Sequence, residues 1–144
     1  MKTIILLTIS LTFGFSVFSQ SPIMSAKTFK CGWIDGVTFT HNIKGEWEKS
    51  SDKLPELIID NINLEKKSAR IVANVGSGDL YVFSTSIGLV FLEQTFSGYH
   101  TLLIHSVSNP KDKTLFPSFY QRNVTVLGMS ESNTNFYGFC KIFG

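Results

Sequence analysis

The sequence predicts an all-β protein, a single antiparallel β-barrel or β-sandwich of about eight to nine strands that is rich in meander connections. Short runs rich in Val, Ile, Phe, Tyr and Thr recur about every 8 to 12 residues with turn residues between them. No segment keeps a helical period. The two cysteines, Cys31 and Cys140, lie near opposite ends of the chain. A disulfide between them would join the first strand to the last.

Residues 1–19 have the pattern of a cleaved secretory signal peptide. Lys2 supplies a positive charge, residues 3–18 form an uncharged apolar run, and Ser19 is a small residue at the cleavage position. A membrane anchor is the alternative, but the run is shorter than the ~20 apolar residues that a spanning helix needs. We therefore expect residues 20–27 to be a flexible leader and residues 28–144 a single β domain. Its location would be periplasmic or secreted, with no membrane span in the mature chain.

The charge of the chain is nearly balanced. It carries 13 Lys and Arg against 11 Asp and Glu, a formal net charge of +2. Phosphate binding needs concentrated basic residues. The local concentrations, Lys66-Lys67 and Lys111-Asp112-Lys113, lie between apolar runs, as solvated turns do. The sequence therefore predicts no nucleic-acid partner.

Two cysteines in an exported chain indicate one disulfide, here between Cys31 and Cys140. In the chain-entropy model a loop of this length contributes about 4–5 kcal/mol to the free energy of unfolding. A metal-binding or reactive thiol is the alternative, but the sequence has no Cys-x-x-Cys and no His beside either cysteine. We expect neither a metal site nor a cofactor.

The strand pattern begins at residues 28–34, where Phe29, Cys31 and Trp33 share one face by the period-2 rule. The Asp35-Gly36 pair is a two-residue hairpin signal, so residues 37–41 are predicted to pair back on the first strand. Residues 42–56 lose all alternation and predict a long surface loop around Trp47.

The pattern then continues to the end of the chain. Residues 76–79 (Gly-Ser-Gly-Asp) and 96–100 are predicted turns, and residues 128–135 a polar turn region. Residues 80–83 and 89–92 are apolar on both faces, so these strands should be covered on both sides or curl around a filled interior. The remaining strands are expected at residues 57–64, 69–75, 80–84, 88–95, 101–107, 118–127 and 136–143.

Glu93 and His105 are the candidate catalytic residues. Glu93 ends the face that carries Leu89 and Phe91, and a carboxylate beside apolar residues can have a perturbed pKa. His105 lies in the adjacent predicted strand. The alternatives are that Glu93 lies at the solvated end of its strand and that His105 is a core histidine bonded to a backbone carbonyl.

Trp47 and Tyr99 are the candidate binding residues, because both are predicted in loops, where an aromatic ring is open to a partner. Most other aromatic residues are expected in the core. The Gly-Ser-Gly-Asp segment precedes no helix, so it offers no helix N-terminal amides to a phosphate.

Three short motifs resemble a group of small exported bacterial proteins without a known activity. They are Gly76-Ser77-Gly78-Asp79, Phe91-Leu92-Glu93-Gln94-Thr95 and Tyr137-Gly138-Phe139-Cys140, and the resemblance covers roughly residues 58–144. Residues 18–20 (Phe-Ser-Gln) also look like the end of signal peptides of Bacteroidetes-type bacteria. The resemblance implies export from a bacterium and carries no site residues with it.

Three functional hypotheses follow. The first is a non-catalytic exported domain that binds a small apolar ligand in a barrel interior, or a glycan or protein through Trp47 and Tyr99. The second is a hydrolase-type enzyme that uses Glu93 and His105. The third is a purely structural protein of the cell envelope.

Overall fold

The computed structural model describes residues 21–74, 76–126 and 130–144. The predicted signal peptide and Gln20 lie outside these residues. In the described part of the chain, no helix is long and apolar enough to cross a membrane.

The described residues form a short 3₁₀ helix, Pro22–Met24, followed by nine antiparallel strands. The strands are β1 (Phe29–His41), β2 (Trp47–Ser51), β3 (Leu57–Asn63), β4 (Ser68–Ala73), β5 (Gly76–Ser84), β6 (Gly88–Thr95), β7 (Gly98–His105), β8 (Leu115–Val126) and β9 (Ser130–Ile142).

The sheet closes on itself into an eight-stranded barrel, as the first of the two predicted architectures requires. From β3 to β9 each strand pairs with the next, and β1 pairs with β3 on one side and β9 on the other. The closing pair runs from Phe29 opposite Ile142 to His41 opposite Glu131. β2 is an extra strand that pairs with the C-terminal part of β1, with Val37 opposite Ser51.

β1 is one long strand, so the hairpin predicted at Asp35-Gly36 is wrong. β9 pairs across this dipeptide, with Asp35 opposite Tyr137 and Gly36 opposite Phe136, and only a register shift after Trp33 marks it. A Cβ atom at Gly36 would overlap the Phe136 ring and the Asp52 carbonyl oxygen. The glycine is there for close packing rather than for a turn.

Four other boundaries differ from the prediction. The loop expected at residues 42–56 contains β2, whose residues are all exposed and therefore show no apolar alternation. The Gly-Ser-Gly-Asp turn expected at residues 76–79 is the beginning of β5. Residues 98–100, expected in a turn, begin β7, and β9 begins at Ser130 rather than at residue 136.

The barrel interior is filled by the inward-facing side chains, which are every second residue of each strand. Leu80 and Val82 are buried, whereas the intervening Tyr81 and the following Phe83 are 58% and 40% exposed. The runs that are apolar on both faces therefore curl around a filled interior.

Cys31 and Cys140 form the predicted disulfide between directly paired positions of β1 and β9. The largest fully buried side chains are Phe29, Phe91, Phe136, Ile23, Ile59, Leu89 and Ile104.

The two ends of the barrel differ. The 3₁₀ helix covers one end, where Ile23 is fully buried against the core and the Ser21 hydroxyl donates a hydrogen bond to the Ser106 carbonyl oxygen at 2.8 Å. The opposite end, where β3 and β5 begin and β4 and β6 end, opens to solvent. A ligand can therefore approach the interior from this open end.

Candidate functional site

The open end of the barrel contains a cavity of about 280 Å³, which we call the mouth pocket. Its lining is apolar on the side of β3 and β4 and polar on the side of β6 to β8. The lining residues are Leu54, Leu57, Ile71, Ala73, Gly76, Ser77, Gly78, Glu93, His100, Tyr120 and Arg122.

Glu93 and His100 form a hydrogen-bonded pair in the mouth pocket. The two residues lie directly opposite each other on β6 and β7, and Nδ1 of His100 is 2.7 Å from Oε2 of Glu93. Their side chains are 19% and 17% exposed. Since the carboxylate engages Nδ1, the contact favours the imidazole tautomer with its proton on that nitrogen and leaves Nε2 for another partner.

Gly78 makes room for the Glu93 carboxylate. It faces the interior on β5 and lies opposite Ile71 of β4. A Cβ atom at Gly78 would overlap Oε1 of Glu93. The absent side chain therefore allows the carboxylate to lie against the wall of the pocket.

Tyr120 forms the floor of the mouth pocket. Its side chain is only 5% exposed, and its ring packs near Trp33, Phe136 and His100, with centroid distances of 5.6, 6.0 and 5.9 Å. Burial above all, together with the negative charge of Glu93, raises the pKa of Tyr120 to about 12, and the positive charge of Arg122 opposes both effects. The phenol is therefore neutral at ordinary pH and can donate a hydrogen bond.

Arg122 brings a positive charge to the same pocket. It lies on β8 between His100 of β7 and Thr134 of β9, on the interior side of the sheet. Within the described residues no carboxylate oxygen lies within 4.0 Å of its guanidinium nitrogens. Arg70, by contrast, forms an ion pair of 2.7 Å with Asp60. Arg122 can therefore accept an anion without losing a protein partner.

Below the mouth pocket the described core residues leave a small residual cavity. The residual cavity has a volume of about 10 Å³ and is lined by Phe91, Leu102 and other core residues. This volume holds at most one water molecule. A small ligand therefore finds more space in the mouth pocket than in this cavity.

A larger depression of about 450 Å³ lies on the outer wall near the β3–β4 turn. It is lined by Lys66, Lys67 and Tyr81, which are exposed, and by parts of β4 to β6. It contains no buried polar group aimed at a ligand, so the mouth pocket is the better candidate site.

The pair expected between Glu93 and His105 is not formed. Glu93 does face the interior with Leu89 and Phe91, but His105 lies opposite Gly88 at the other end of β7. His105 is half-buried on the outer face, so it is not a core histidine either. His100 takes its place. The short β6–β7 turn could have revealed this, because a two-residue turn at residues 96–97 puts position 100 opposite position 93.

Trp47 and Tyr99 lie in strands rather than loops, and both are exposed. Trp47 is 63% exposed on β2, where its ring centroid is 4.9 Å from that of His41. Tyr99 is 48% exposed on β7. Neither lines the mouth pocket. They share the outer face of the sheet formed by β7, β8, β9, β1 and β2.

Arg122 and Tyr120 were not singled out by the sequence. Their inward orientation depends on the register of β8, which no local pattern specifies.

In the described part of the chain, no group of three or more His, Cys, Asp or Glu side chains is placed to hold a metal ion. No protein family, curated protein or solved structure matches the chain.

Proposed function

We propose that this protein is an exported, non-catalytic binding protein whose mouth pocket holds a small molecule with an apolar body and an anionic group. The observation that supports this proposal is Arg122, a cation without a carboxylate partner among the described residues, in a pocket whose opposite wall is apolar.

The apolar wall supplies the hydrophobic contact. Leu57 and Ile71 are buried at the pocket edge, and Leu54 packs against the core from the β2–β3 connection. A ligand that covers this wall removes apolar surface from water at about 25 cal/mol per Å². The volume of the pocket, about 280 Å³, is just below the usual range for drug-sized ligands. We therefore expect a compact ligand.

The opposite wall supplies orientation. A guanidinium binds a carboxylate through two parallel N–H···O bonds, which gives a preferred direction as well as energy. His100 and Tyr120 offer one further ring nitrogen and one hydroxyl beside it. A monocarboxylate with a short aliphatic or aromatic body matches this combination.

The test compares three ligands of one size that differ only in their polar group: hexanoate, hexanol and hexylamine. In ¹⁵N-correlation NMR titrations, hexanoate should shift the amide signals of pocket residues and bind at least tenfold more tightly than hexanol. The Arg122→Gln variant should lose this preference, since a tenfold loss corresponds to about 1.4 kcal/mol.

Arg70→Gln is the matched control, because Arg70 lies on the outer side of β4 and is paired with Asp60. This variant should bind hexanoate as the wild type does. Equal affinities for all three ligands, or signal shifts outside the mouth pocket, would contradict the proposal.

Periplasmic or extracellular location in a bacterium is part of the proposal. The Cys31–Cys140 disulfide is compatible with it, because disulfides persist in oxidising compartments. The signal-peptide pattern and the resemblance to small exported bacterial proteins support it further. N-terminal sequencing of the exported protein should place the first residue at Gln20.

An acid–base enzyme is the second candidate, with His100 in the role first given to His105. The Glu93–His100 hydrogen bond favours it, since a carboxylate that orients Nδ1 leaves Nε2 to exchange a proton with a substrate. In that case Glu93→Gln would abolish turnover without weakening substrate binding. In the binding-protein proposal no bound carboxylate is converted, so hexanoate recovered after prolonged incubation should be unchanged.

A further inference from the structure

We propose a second ligand site, for a neutral oligosaccharide, on the outer face of the five strands β7, β8, β9, β1 and β2. We call this surface the amide face. Its outward side chains form three rows across the sheet. The rows are Thr101, Gln121, Asn135, Val37, Ser51; then Tyr99, Asn123, Asn133, Phe39, Lys49; then Thr125, Glu131, His41, Trp47.

A chain of side-chain amides runs through the centre of the amide face. Asn135 donates a hydrogen bond from Nδ2 to Oδ1 of Asn133 at 2.6 Å, and Asn133 donates from Nδ2 to Oδ1 of Asn123. The Nδ2 group of Asn123 is buried and has no partner among the described residues. A spare donor thus remains at one end of the chain and the Asn135 side-chain oxygen at the other. A hydroxyl group both donates and accepts, so a sugar can hydrogen-bond the Asn135 end directly, and the buried Nδ2 of Asn123 when that side chain rotates outward.

Aromatic rings bound the amide chain on both sides. Tyr99 is 48% exposed next to Asn123, and Phe39 is 41% exposed next to Asn133. The two rings are three strand spacings apart, roughly 14–15 Å. Trp47, stacked with His41, extends the aromatic edge beyond Phe39. An exposed ring offers an apolar surface to the C–H side of a sugar, while the amides serve its hydroxyls.

The charge of the amide face favours a neutral ligand. Within the three rows the charged side chains are Lys49 and Glu131, which have opposite signs. Phe39 lies between Lys49 and the amide chain, and Glu131 lies two residues from Asn133 along β9. An anionic polymer would find no cluster of cations here, in contrast to the basic grooves that bind phosphates.

The amide chain is unusual for the middle of a sheet, although its members hydrogen-bond one another. Asn is unfavourable in strands, yet Asn123, Asn133 and Asn135 lie in β8 and β9, each of which is paired on both sides. A β-branched residue at these half-buried positions would suit the strand conformation better. Residues that break a local rule without a structural gain mark functional positions.

The amide face is independent of the mouth pocket. Arg122 points to the interior between the outward-facing Gln121 and Asn123, so the two sites lie on opposite sides of the same strands. Variants of one face can therefore be tested without altering the other, and either proposal can fail alone.

The test is affinity electrophoresis of the purified protein in gels that contain one polysaccharide each: hydroxyethyl cellulose, arabinoxylan, galactomannan, dextran or, as anionic polymers, alginate and polygalacturonate. The wild type should be retarded by at least one of the four neutral polymers. Tyr99→Ala should weaken that association at least tenfold. Tyr81→Ala is the matched control, because Tyr81 is a comparably exposed tyrosine on β5, outside the amide face.

Asn133→Thr separates binding from folding. Threonine suits a strand better than asparagine, so this variant should unfold at the same or a higher temperature while its retardation is lost. Three results would overturn the proposal: no retardation by any of the four neutral polymers, retardation by the anionic polymers alone, or retardation that both Tyr99→Ala and Asn133→Thr leave unchanged.

Discussion

The Oε2 atom of Glu93 lies 2.7 Å from Nδ1 of His100 at directly paired positions of β6 and β7. The pair stands where the filled barrel ends and the mouth pocket begins, because Glu93 follows the buried Leu89 and Phe91 on one face. The carboxylate thereby fixes the orientation of the imidazole, and Nε2 is the nitrogen that remains for a ligand.

Gly78→Ala should disturb this pair without unfolding the barrel. The added methyl group would overlap Oε1 of Glu93, and only the end of that flexible side chain has to move. We expect the imidazole of His100 to lose its preference for the Nδ1-protonated tautomer, as measured by long-range ¹H–¹⁵N correlation NMR. The free energy of unfolding should change by less than about 1 kcal/mol.

Gly32→Ala is the matched control for this substitution. Gly32 is also a strand glycine without a left-handed backbone, and a Cβ atom there meets nothing within 4 Å. His100 should keep its tautomer in this variant. An unchanged tautomer in Gly78→Ala would show that Glu93 does not hold the imidazole.

Tyr120 should make the protein sensitive to alkaline pH. Burial raises its pKa to about 12 in the folded protein, whereas a phenol in an unfolded chain titrates near 10. Below about pH 10 the phenol is neutral in both states, and its contribution to stability is complete. Between about pH 10 and 12 the unfolded state alone loses the proton, so the free energy of unfolding falls by about 2–3 kcal/mol.

Urea unfolding at pH 9, 10, 11 and 12 measures this loss. Tyr120→Phe should show a flatter dependence on pH, because it has no phenol to ionise. Tyr137→Phe, which changes a half-exposed tyrosine on β9, should keep the slope of the wild type. Identical slopes in all three proteins would exclude Tyr120 as the cause.

Reduction of the Cys31–Cys140 disulfide should lower the free energy of unfolding by about 2–5 kcal/mol. The bond closes a long loop, with a sequence separation of 109, and both cysteines are fully buried. Guanidinium denaturation with and without a phosphine reductant measures the difference. The Cys31→Ala/Cys140→Ala variant should be indifferent to the reductant. If the wild type were equally indifferent, the disulfide would contribute nothing.

The fold class was predictable because a barrel interior imposes a period of two on every strand. Phe29 and Cys31 are fully buried, while the side chain of Lys30 between them is 43% exposed. The pairing of Cys31 with Cys140 followed from the cysteine count. Neither prediction needed the register of distant strands.

The errors arose where distant contacts outweigh a local turn signal. Asp35-Gly36 would form a hairpin in an isolated segment, but pairing with Tyr137 and Phe136 keeps it extended. Gly98 is predicted in a turn, yet it begins β7, where the absence of a Cβ atom leaves room for the Asn123 carbonyl oxygen of β8. At both glycines the absent side chain leaves room for a residue that is far away in sequence.

The candidate site was half predictable for the same reason. The face of Glu93 follows from alternation within β6. Its partner depends on the position of the β6–β7 turn, and a turn over residues 96–100 leaves His100 outside the predicted strand. Arg122 lies beside Glu93 and His100 only because the register of β8 against β7 places it opposite His100.

The pairing of β1 with β9 has a consequence for the order in which the molecule matures. These two strands close the barrel, yet they are the strands that the ribosome makes furthest apart in time. Until residues 130–142 have been synthesised, the nascent sheet has two bare edges that can join to other chains. Closure of the barrel therefore has to wait for β9, and a chain that ends before β9 cannot close.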